Sequence, residues 1–340
     1  MRNVSVRKAE HAVVMPGSTP AAPSAEPESL AALRERFLRD GYLVVRGAVP
    51  QDLCRKAVAA FEGQVKPSRA YFLRHEFGNY ERHVFTEYGY MKYPIMNVQD
   101  LSRKRFGSFV RHGLDILTSR RIREVMAALL GEEGRMVHTM FFDGNQQTWA
   151  HRDSHYIDSE QVGSMIGVWV AAEDVDPGAG RFYVYAGSHR VPTPPELGLD
   201  RIDPNSRAYK DAMADWARRS GCELVAPELK QGDILLWSSL TVHGSLPTTE
   251  PRCSRKSFTA HYIPQSHGYL WGRRERGAQR EIAVNGVRIA RHADQGSWAT
   301  QAKAAVRDLL HARAPRLLSG ALALRRLTKR FTSGAGRRQG

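Results

Sequence analysis

Short apolar segments separated by turn residues dominate the second half of the chain and restrict the folds open to it. Strand-like segments lie at 136–142, 165–171, 181–185, 234–237 and 256–263. Turn signals such as Asp176-Pro177-Gly178 and Gly232-Asp233 fall between them. Short strands punctuated in this way are typical of sandwiches and barrels. We therefore predict an α+β fold with a double-stranded β-helix (jelly-roll, cupin-like) core at about 136–267 and with flanking helices.

Helical patterns precede and interrupt these strands. Apolar residues recur at helical spacing in 29–39, 50–61, 106–117, 119–130 and 206–219. The aromatic-rich segment 66–100 and the insertion at 192–221 are predicted to be lid or insert segments. Residues 1–28 are rich in Ala, Pro, Ser and Glu and are predicted to be a disordered leader. This organisation leaves 29–300 as a single domain and 301–340 as a tail.

The triplet His151-Arg152-Asp153 follows a predicted turn at Gly144-Asn145. Residues two apart on a strand point to the same face, so the imidazole and the carboxylate would converge while Arg152 points away. An imidazole and a carboxylate belong to the 2-His-1-carboxylate set that holds Fe(II) in non-haem oxygenases. A surface strand or a helix cap would also explain the triplet, so a third ligand is needed to support a metal site.

His243 is the candidate third ligand, because it follows the strand predicted at 234–237. Beyond it come Ser245 and two arginines, Arg252 and Arg255. An arginine that opens the next strand could bind a carboxylate of an anionic co-substrate in bidentate fashion, with a further hydrogen bond from Ser245. A capped surface histidine is the alternative for His243, and Arg252 is the alternative to Arg255.

The run from 136 to 264 resembles the phytanoyl-CoA dioxygenase family of Fe(II)/2-oxoglutarate oxygenases. The matching elements occur in the family's order, and they are His151-x-Asp153, the Trp-bearing strand and acidic turn at 167–174, Gly187-Ser188-His189, Gly232-Asp233, His243-Gly244-Ser245 and Arg255. The helix–strand–helix unit at 30–61 is also similar to the family's opening. The resemblance therefore covers most of 29–267.

The resemblance implies roles for individual residues. His151, Asp153 and His243 would hold Fe(II). Arg255 would pair with the distal carboxylate of 2-oxoglutarate, and Ser245 would assist it. Further predicted contacts of the co-substrate are Trp169, His138 and Gln147. The other histidines near these motifs, which we predict not to be ligands, are His155, His189 and His261, with His155 expected beside the site.

The chemistry implied by the resemblance is oxidation by O2 coupled to conversion of 2-oxoglutarate to succinate and CO2. Related halogenases lack the carboxylate ligand, so the presence of Asp153 favours hydroxylation. Desaturation, cyclisation and epimerisation stay open. The expected substrate is a small molecule or natural product, anionic or carrier-linked, and its hypothetical contacts are Tyr80, Tyr88, Tyr90, Lys92 and Arg181.

Composition adds limits on compartment and partners. The three cysteines, Cys54, Cys222 and Cys253, offer neither a zinc pattern nor a disulfide framework, which favours the cytoplasm. The net charge is +15, but 301–340 holds ten Lys or Arg against one acid, so +9 of the charge lies in the tail. No nucleic-acid-binding signature accompanies it. We predict a basic amphipathic tail that packs on the domain, or that contacts an anionic membrane surface or an acidic carrier.

Two other classes fit parts of the pattern. A cupin-like metalloenzyme that does not use 2-oxoglutarate would need the metal ligands but not Arg255. A non-catalytic protein that binds its partner through the basic tail would need neither.

Overall fold

The computed structural model describes residues 28–313 except 75–78, 199–201, 273 and 278. The described helices are α1 (Leu30–Asp40), α2 (Gln51–Ala60), α3 (Arg103–Leu117), α4 (Arg120–Leu130), α5 (Arg207–Arg219) and α6 (Trp298–Arg313). The first eight strands are β1 (Tyr42–Val45), β2 (Phe72–Leu73), β3 (Tyr80–Glu81), β4 (Ile95–Met96), β5 (Gly134–Phe142), β6 (Ile157–Ser159), β7 (Ile166–Ala171) and β8 (Phe182–Tyr185). The remaining strands are β9 (Leu224–Val225), β10 (Ile234–Ser238), β11 (His243–Ser245), β12 (Ser257–Pro264), β13 (Tyr269–Trp271), β14 (Arg274–Arg276), β15 (Arg280–Val284) and β16 (Val287–Arg291).

A large sheet and smaller sheets form the core. The large sheet has the order β1-β10-β7-β12-β5-β16-β15, with β4 also paired to β5. The order β11-β8-β9 describes one three-stranded sheet, and β14-β13-β6 describes another. The long central pairings β10·β7, β12·β7 and β12·β5 are all antiparallel. Together with the flanking helices, this arrangement confirms the predicted α+β fold with a jelly-roll core.

Strand alternation divides the large sheet into a helix-facing side and a cavity-facing side. On β7, Val168 and Val170 join the main apolar cluster with the helices, whereas Trp169 packs with the β8 side chain Val184. On β10, Leu236 likewise faces the helices. Because side chains alternate across a strand, every second residue of the central strands points into the space between the sheets. The site described below is built from those residues.

Helices α1 to α4 cover the outer face of the large sheet. Ser29 caps α1 by accepting a hydrogen bond from the backbone N–H of Ala32 (3.2 Å), and Gly41 ends the helix at φ 75°. The left-handed conformation at Gly41 turns the chain directly into β1. Phe37 and Phe109 are buried in the same apolar cluster as the helix-facing residues of the large sheet. The helices therefore close one side of the sheet and leave the other for the site.

The large sheet extends beyond the predicted core limits. Strands β1, β15 and β16 belong to it, although 42–45 and 280–291 lie outside 136–267. Helix α6 also crosses the 300/301 boundary, and the Gln301 side chain exchanges hydrogen bonds with the backbone of Tyr71 (2.9 and 2.8 Å). The predicted leader up to residue 27 and the tail from 314 lie outside the described residues. Within the part that is described, no helix is both long and apolar enough to cross a bilayer.

Candidate metal centre and its cavity

His151, Asp153 and His243 converge where two segments of chain meet. His151 and His243 form an isolated antiparallel bridge, and each backbone N–H donates to the other residue's carbonyl at 3.0 Å. The bridge sets the two imidazole rings side by side, with centroids 4.3 Å apart. Within the His-x-Asp motif, His151 has strand-like pairing, whereas Asp153 begins a 3-10 turn. The candidate ligand atoms of all three residues lie within 4.8 Å of one another.

Backbone carbonyls select the tautomer of both histidines. The Nδ1 atom of His151 lies 2.8 Å from the carbonyl of Trp149, and that of His243 lies 3.0 Å from the carbonyl of Thr241. A carbonyl only accepts, so each Nδ1 must carry the proton and donate it, which leaves each Nε2 with a free lone pair. Burial lowers the pKa of His243 to about 3, which keeps its ring neutral. Both rings therefore present the form that ligates metals.

The Asp153 carboxylate is oriented by two buried donors. Its Oδ2 accepts a hydrogen bond from Trp237 Nε1 at 2.7 Å and lies 3.2 Å from His261 Nε2. Its Oδ1 lies 3.5 Å from Nε2 of both His151 and His243. Burial alone would raise the pKa of Asp153, but the neighbouring histidines His243 and His261 and the hydrogen bonds to its oxygens hold that pKa well below its usual range. The ionised oxygen Oδ1 is thus left facing the two imidazoles.

These donors fit Fe(II). Two imidazoles and one carboxylate on one side of a point form the facial set of non-haem iron enzymes, with the remaining positions open toward a cavity. The hydrogen bonds behind all three ligands match the outer-shell contacts that orient metal ligands elsewhere. A similar donor set also binds catalytic zinc, so the choice of metal and reaction depends on what else lines the cavity.

Sequence reasoning did not find Trp237 or His261 as supports of the carboxylate. Both residues lie inside predicted strands, and their place in the strand alternation could have identified them. In β10 and β12 the residues with odd sequence numbers point to the cavity side, and Trp237 and His261 are among them. The registers pair both residues with Gly167 of β7. A residue without a side chain at that point gives the Trp237 indole its room.

Arg255 is a buried cation in the same cavity, which has a volume of about 600 Å³. The side chain is only 2% exposed, and Nη1 donates to the carbonyl of Gly180 at 2.9 Å. Among the described residues, no carboxylate lies within ion-pair distance of it, and its Nε has no hydrogen-bond partner. Burial lowers the pKa of Arg255 to about 10, so it stays charged at neutral pH. An unpaired buried charge is costly, and an anionic ligand would remove that cost.

Other predicted co-substrate residues surround Arg255. Its guanidinium lies 5.9 Å from the Trp169 ring and 5.8 Å from the Phe142 ring. Ser245 Oγ accepts the backbone N–H of Thr148 at 2.8 Å, and both residues line the cavity. Phe182 connects this end to the metal ligands, because its ring lies 6.2 Å from Trp169 and 5.4 Å from His243.

Arg252 does not reach the cavity lining. It is exposed, and its guanidinium lies 5.9 Å from the Tyr88 ring. Of the two arginines that the sequence left open, only Arg255 shares the cavity with the candidate ligands.

His138 and Gln147 differ in position. His138 lines the cavity from β5, with Nδ1 3.3 Å from Nδ1 of His261. Gln147 is exposed, has φ 53° and does not line the cavity, whereas its neighbour Gln146 does. Gln147 therefore does not occupy the position beside the co-substrate that the sequence predicted for it. His155 lines the cavity beside the site and contacts the Tyr209 hydroxyl.

The predicted substrate contacts at 80–92 do not line this cavity. The Tyr80 carbonyl accepts a hydrogen bond from Arg307 of α6. Tyr88 and Tyr90 line a separate cavity of about 350 Å³. The Tyr90 ring also lies 5.7 Å from the Lys66 ammonium and 5.6 Å from the Lys256 ammonium. The Tyr88 and Tyr90 rings therefore pack against cationic side chains outside the cavity of the candidate metal centre.

Lys92 and Arg181 likewise lie elsewhere. Lys92 is exposed, with its ammonium 5.6 Å from the Tyr93 ring. Arg181 is buried, and its Nη1 lies 3.8 Å from Glu228. The predicted insert segments do contribute other residues to the cavity, which are Leu73, Met96 and Asn97 from one segment and Pro204, Asn205 and Lys210 from the other. A third contribution, from Trp271, Arg276 and His292, was missed because 269–292 was not read as strands.

Solved structures share the fold of this chain. The epimerase SnoN, crystallised with Fe3+, alpha ketoglutarate and nogalamycin RO, is 19% identical, with a TM-score of 0.53 over 78% of this chain and 96% of SnoN. The carbocyclase SnoK from nogalamycin biosynthesis is 14% identical, with a TM-score of 0.53 over 72% of this chain and 89% of SnoK. EctD from S. alaskensis is 22% identical, with a TM-score of 0.52 over 82% of this chain and 92% of EctD. At these identities the likeness concerns the fold.

Sequence comparison identifies the family. The phytanoyl-CoA dioxygenase domain-containing protein 1 homolog of Dictyostelium discoideum is 30% identical over 126 residues, which is 36% of this chain. The matched part spans 42% of that relative's length. The sequence model of the phytanoyl-CoA dioxygenase (PhyH) family matches residues 37–257, a range that contains His151, Asp153, His243 and Arg255. The chain therefore belongs to the phytanoyl-CoA dioxygenase (PhyH) family.

Proposed function

We propose that this chain is an Fe(II)/2-oxoglutarate-dependent dioxygenase that hydroxylates a small-molecule substrate and releases succinate and CO2. The observation that carries the proposal is the pairing, in one cavity, of the His151–Asp153–His243 cluster with the unpaired, buried Arg255. A metal site alone fits several enzyme classes. A buried cation without an acid partner in the described chain fits a dicarboxylate co-substrate.

Different residues of the cavity would bind the metal and the co-substrate. His151, Asp153 and His243 would hold Fe(II), which supplies oxidation by O2 when 2-oxoglutarate is bound beside it. Arg255 would bind the distal carboxylate through its free N–H groups, in the bidentate manner that guanidinium allows. The Ser245 hydroxyl accepts from Thr148 N and therefore keeps its own proton to donate toward the same carboxylate.

The apolar walls would keep water from the co-substrate. The rings of Trp169, Phe142 and Phe182 line this end of the cavity, and Trp169 is 2% exposed. Exclusion of water strengthens the charge pairing of Arg255 and protects reactive species from side reactions.

A pair of arginine variants tests the proposal. Arg255→Ala should weaken 2-oxoglutarate binding by about 30-fold or more, because loss of one partner of a buried charge pair costs about 2–5 kcal/mol. Arg252→Ala is the matched control, since Arg252 is an exposed arginine outside the cavity lining. Binding is measured as the charge-transfer absorbance on anaerobic addition of Fe(II) and 2-oxoglutarate, and turnover as succinate release.

The outcomes separate the proposal from its rivals. Metal binding without an absorbance band or succinate would indicate a cupin-like metalloenzyme that does not use 2-oxoglutarate. Absence of metal binding would indicate a non-catalytic protein. Equal affinity in both arginine variants would refute the role of Arg255.

We also propose that the C-terminal segment contacts an anionic lipid surface. On α6, Val306, Leu309 and Leu310 are 56%, 50% and 41% exposed and lie at the three- and four-residue spacing of one helix face. The chain from 301 to 340 adds ten Lys or Arg against one acid. An exposed apolar stripe followed by basic sequence suits an interface with acidic headgroups.

A further inference from the structure

The cavity carries two positive charges that neither the metal site nor the co-substrate site uses. Among the described residues, Asp153 is the sole carboxylate in the cavity lining. The cations in the lining are Arg255, Lys210 and Arg276. With Asp153 assigned to the metal and Arg255 to 2-oxoglutarate, Lys210 and Arg276 leave the remaining space with a positive balance.

Lys210 reaches the cavity from the inner side of α5. It is half-buried, and its ammonium lies 3.4 Å from the centroid of the Trp149 ring. Its neighbour on the helix, Arg207, pairs with Asp211 at 3.1 Å. Lys210 has no acid within ion-pair distance in the described chain. The lysine therefore faces the cavity with its charge balanced only by the weak attraction of an indole.

Arg276 repeats this arrangement on a different element. It lies on β14, and its guanidinium is 4.8 Å from the centroid of the Trp271 ring, on the paired strand β13. Its Nη1 lies 3.5 Å from Nδ1 of His292, which also lines the cavity. No carboxylate of the described residues lies within ion-pair distance of Arg276. Trp271 is 39% exposed, so this cation and its indole stand at the open part of the cavity.

The Trp149 indole lies beside a candidate metal ligand, and the Trp271 indole lies beside His138, which contacts the support of another ligand. The ring of Trp149 is 6.0 Å from that of His151. The ring of Trp271 is 6.4 Å from that of His138, and His138 contacts His261 behind Asp153. A molecule bound in this cavity would therefore meet one cation and indole beside α5 and another on β13 and β14. A cleft lined by charges of one sign attracts and orients ligands of the opposite sign.

We propose that the substrate is an organic anion, carrying a carboxylate or phosphate group, whose charge is bound by Lys210 and Arg276 and whose apolar part lies against Trp149 and Trp271. This inference rests on the proposed function, because it assigns the substrate class of that same cavity. The same cavity also has apolar lining residues, Leu73, Met96, Met140, Ile157 and Pro204, which suit a ligand with substantial non-polar surface. A neutral or cationic ligand would leave both cations without a partner.

Two fluorescent probes test the charge requirement. 8-Anilinonaphthalene-1-sulfonate is an aromatic anion, and N-phenyl-1-naphthylamine has the same rings without the sulfonate. Both are titrated into the protein loaded with Fe(II) and saturating 2-oxoglutarate under nitrogen, so that Arg255 is occupied. We expect the anion to bind more tightly than the neutral probe. Competition with 4-phenylbutyrate and with phenyl phosphate then ranks carboxylate against phosphate.

Charge-neutralising variants locate the effect. Lys210→Gln and Arg276→Gln should each weaken binding of the anionic probe by about fivefold or more, as expected for loss of a charged hydrogen-bond donor, and should leave the neutral probe unchanged. Arg207→Gln and Arg274→Gln are the matched controls, because they remove exposed cations of the same two elements that do not line the cavity.

Three results would overturn the inference. These are equal affinity for both probes, no binding of either probe, and equal losses of affinity in the control variants. Failure of the proposed function is a separate result, because probe binding requires no turnover. The affinity for 2-oxoglutarate should stay unchanged in Lys210→Gln and Arg276→Gln.

Discussion

The indole of Trp237 should matter more for metal affinity than for folding. Its Nε1–H donates to Asp153 Oδ2 at 2.7 Å, and both side chains are buried. Trp237→Phe keeps an aromatic ring in the apolar contact with Phe182 and removes this donor. The carboxylate would then keep only the His261 contact at 3.2 Å, and it would be less firmly oriented toward the metal.

The size of the loss can be worked out in two ways. A hydrogen bond to a charged group contributes about 1.5–3 kcal/mol. Loss of an outer-shell partner of a metal ligand costs roughly 10–100-fold in metal affinity, which corresponds to about 1.4–2.7 kcal/mol at about 1.36 kcal/mol per tenfold change. The two ranges agree, so we expect Trp237→Phe to weaken metal binding by one to two orders of magnitude, that is roughly 10–100-fold.

Trp169→Phe provides a matched control. Trp169 lies on the neighbouring strand and is 2% exposed, against 1% for Trp237, but its Nε1 has no hydrogen-bond partner in the described chain. Both variants remove a similar volume, so the melting temperature of the metal-free protein should fall by similar amounts. Only Trp237→Phe should reduce the affinity for Fe(II), or for Co(II) as a substitute, in anaerobic calorimetric titration.

The same contact can be broken without changing Trp237. A Cβ added at Gly167 would lie 2.3 Å from Cζ2 of the indole, so Gly167→Ala must displace the ring from Asp153. The metal affinity of Gly167→Ala should fall as in Trp237→Phe, and the double variant should lose little more. Unchanged metal affinity in Trp237→Phe, or an equal loss in Trp169→Phe, would refute the assignment of this donor.

Two further predictions concern stability and surface binding. Burial raises the pKa of Asp158 to about 6. Between pH ~4 and pH ~6 the folded protein therefore holds a proton on Asp158 that the unfolded chain has lost. The contribution of Asp158 to the free energy of unfolding should decrease by up to about 1.4 kcal/mol per pH unit as the pH rises through this range. Asp158→Asn should abolish that slope in urea unfolding of the metal-free protein, and an unchanged slope would contradict the assignment. For the lipid contact, Val306→Ser with Leu309→Ser should reduce flotation with phosphatidylserine vesicles, whereas the equally exposed Val162→Ser (57% against 56% for Val306) should not; equal flotation of all three proteins would exclude α6 as the contact.

Much of the fold could be predicted from the local sequence. Apolar runs separated by turn residues were enough to predict β5, β7, β10 and β12, because these strands are rich in apolar residues. The hairpin β15–β16 was missed, although Asn285-Gly286 between its strands is a strong hairpin signal. Its strands carry several arginines, and the pairing of β16 with β5 joins residues far apart in sequence. Such long-range pairing has no local signature.

The candidate site could likewise be predicted in part from the sequence, and the rest depended on the tertiary structure. The order of His151, Asp153, His243 and Arg255 along the chain was enough to predict a metal and anion site, because each residue type has a narrow chemical use. Whether Arg252 or Arg255 entered the cavity depended on tertiary structure, since packing places Arg255 in the cavity lining and leaves Arg252 exposed.

The sequence by itself determined the strand alternation, the ligand types and the family pattern, because these depend on residues that are near in sequence or fixed in order. Only the tertiary structure decided which side chains surround the substrate space. Lys210 and Arg276 are more than 60 residues apart in sequence, and the tertiary fold brings both to one cavity. The tyrosines at 80–90 looked equally suitable in sequence, but they lie outside this cavity, with Tyr88 against Arg252 and Tyr90 against Lys66 and Lys256. Side-chain chemistry can be read from the chain, whereas the direction in which a surface segment faces is set by packing against distant residues.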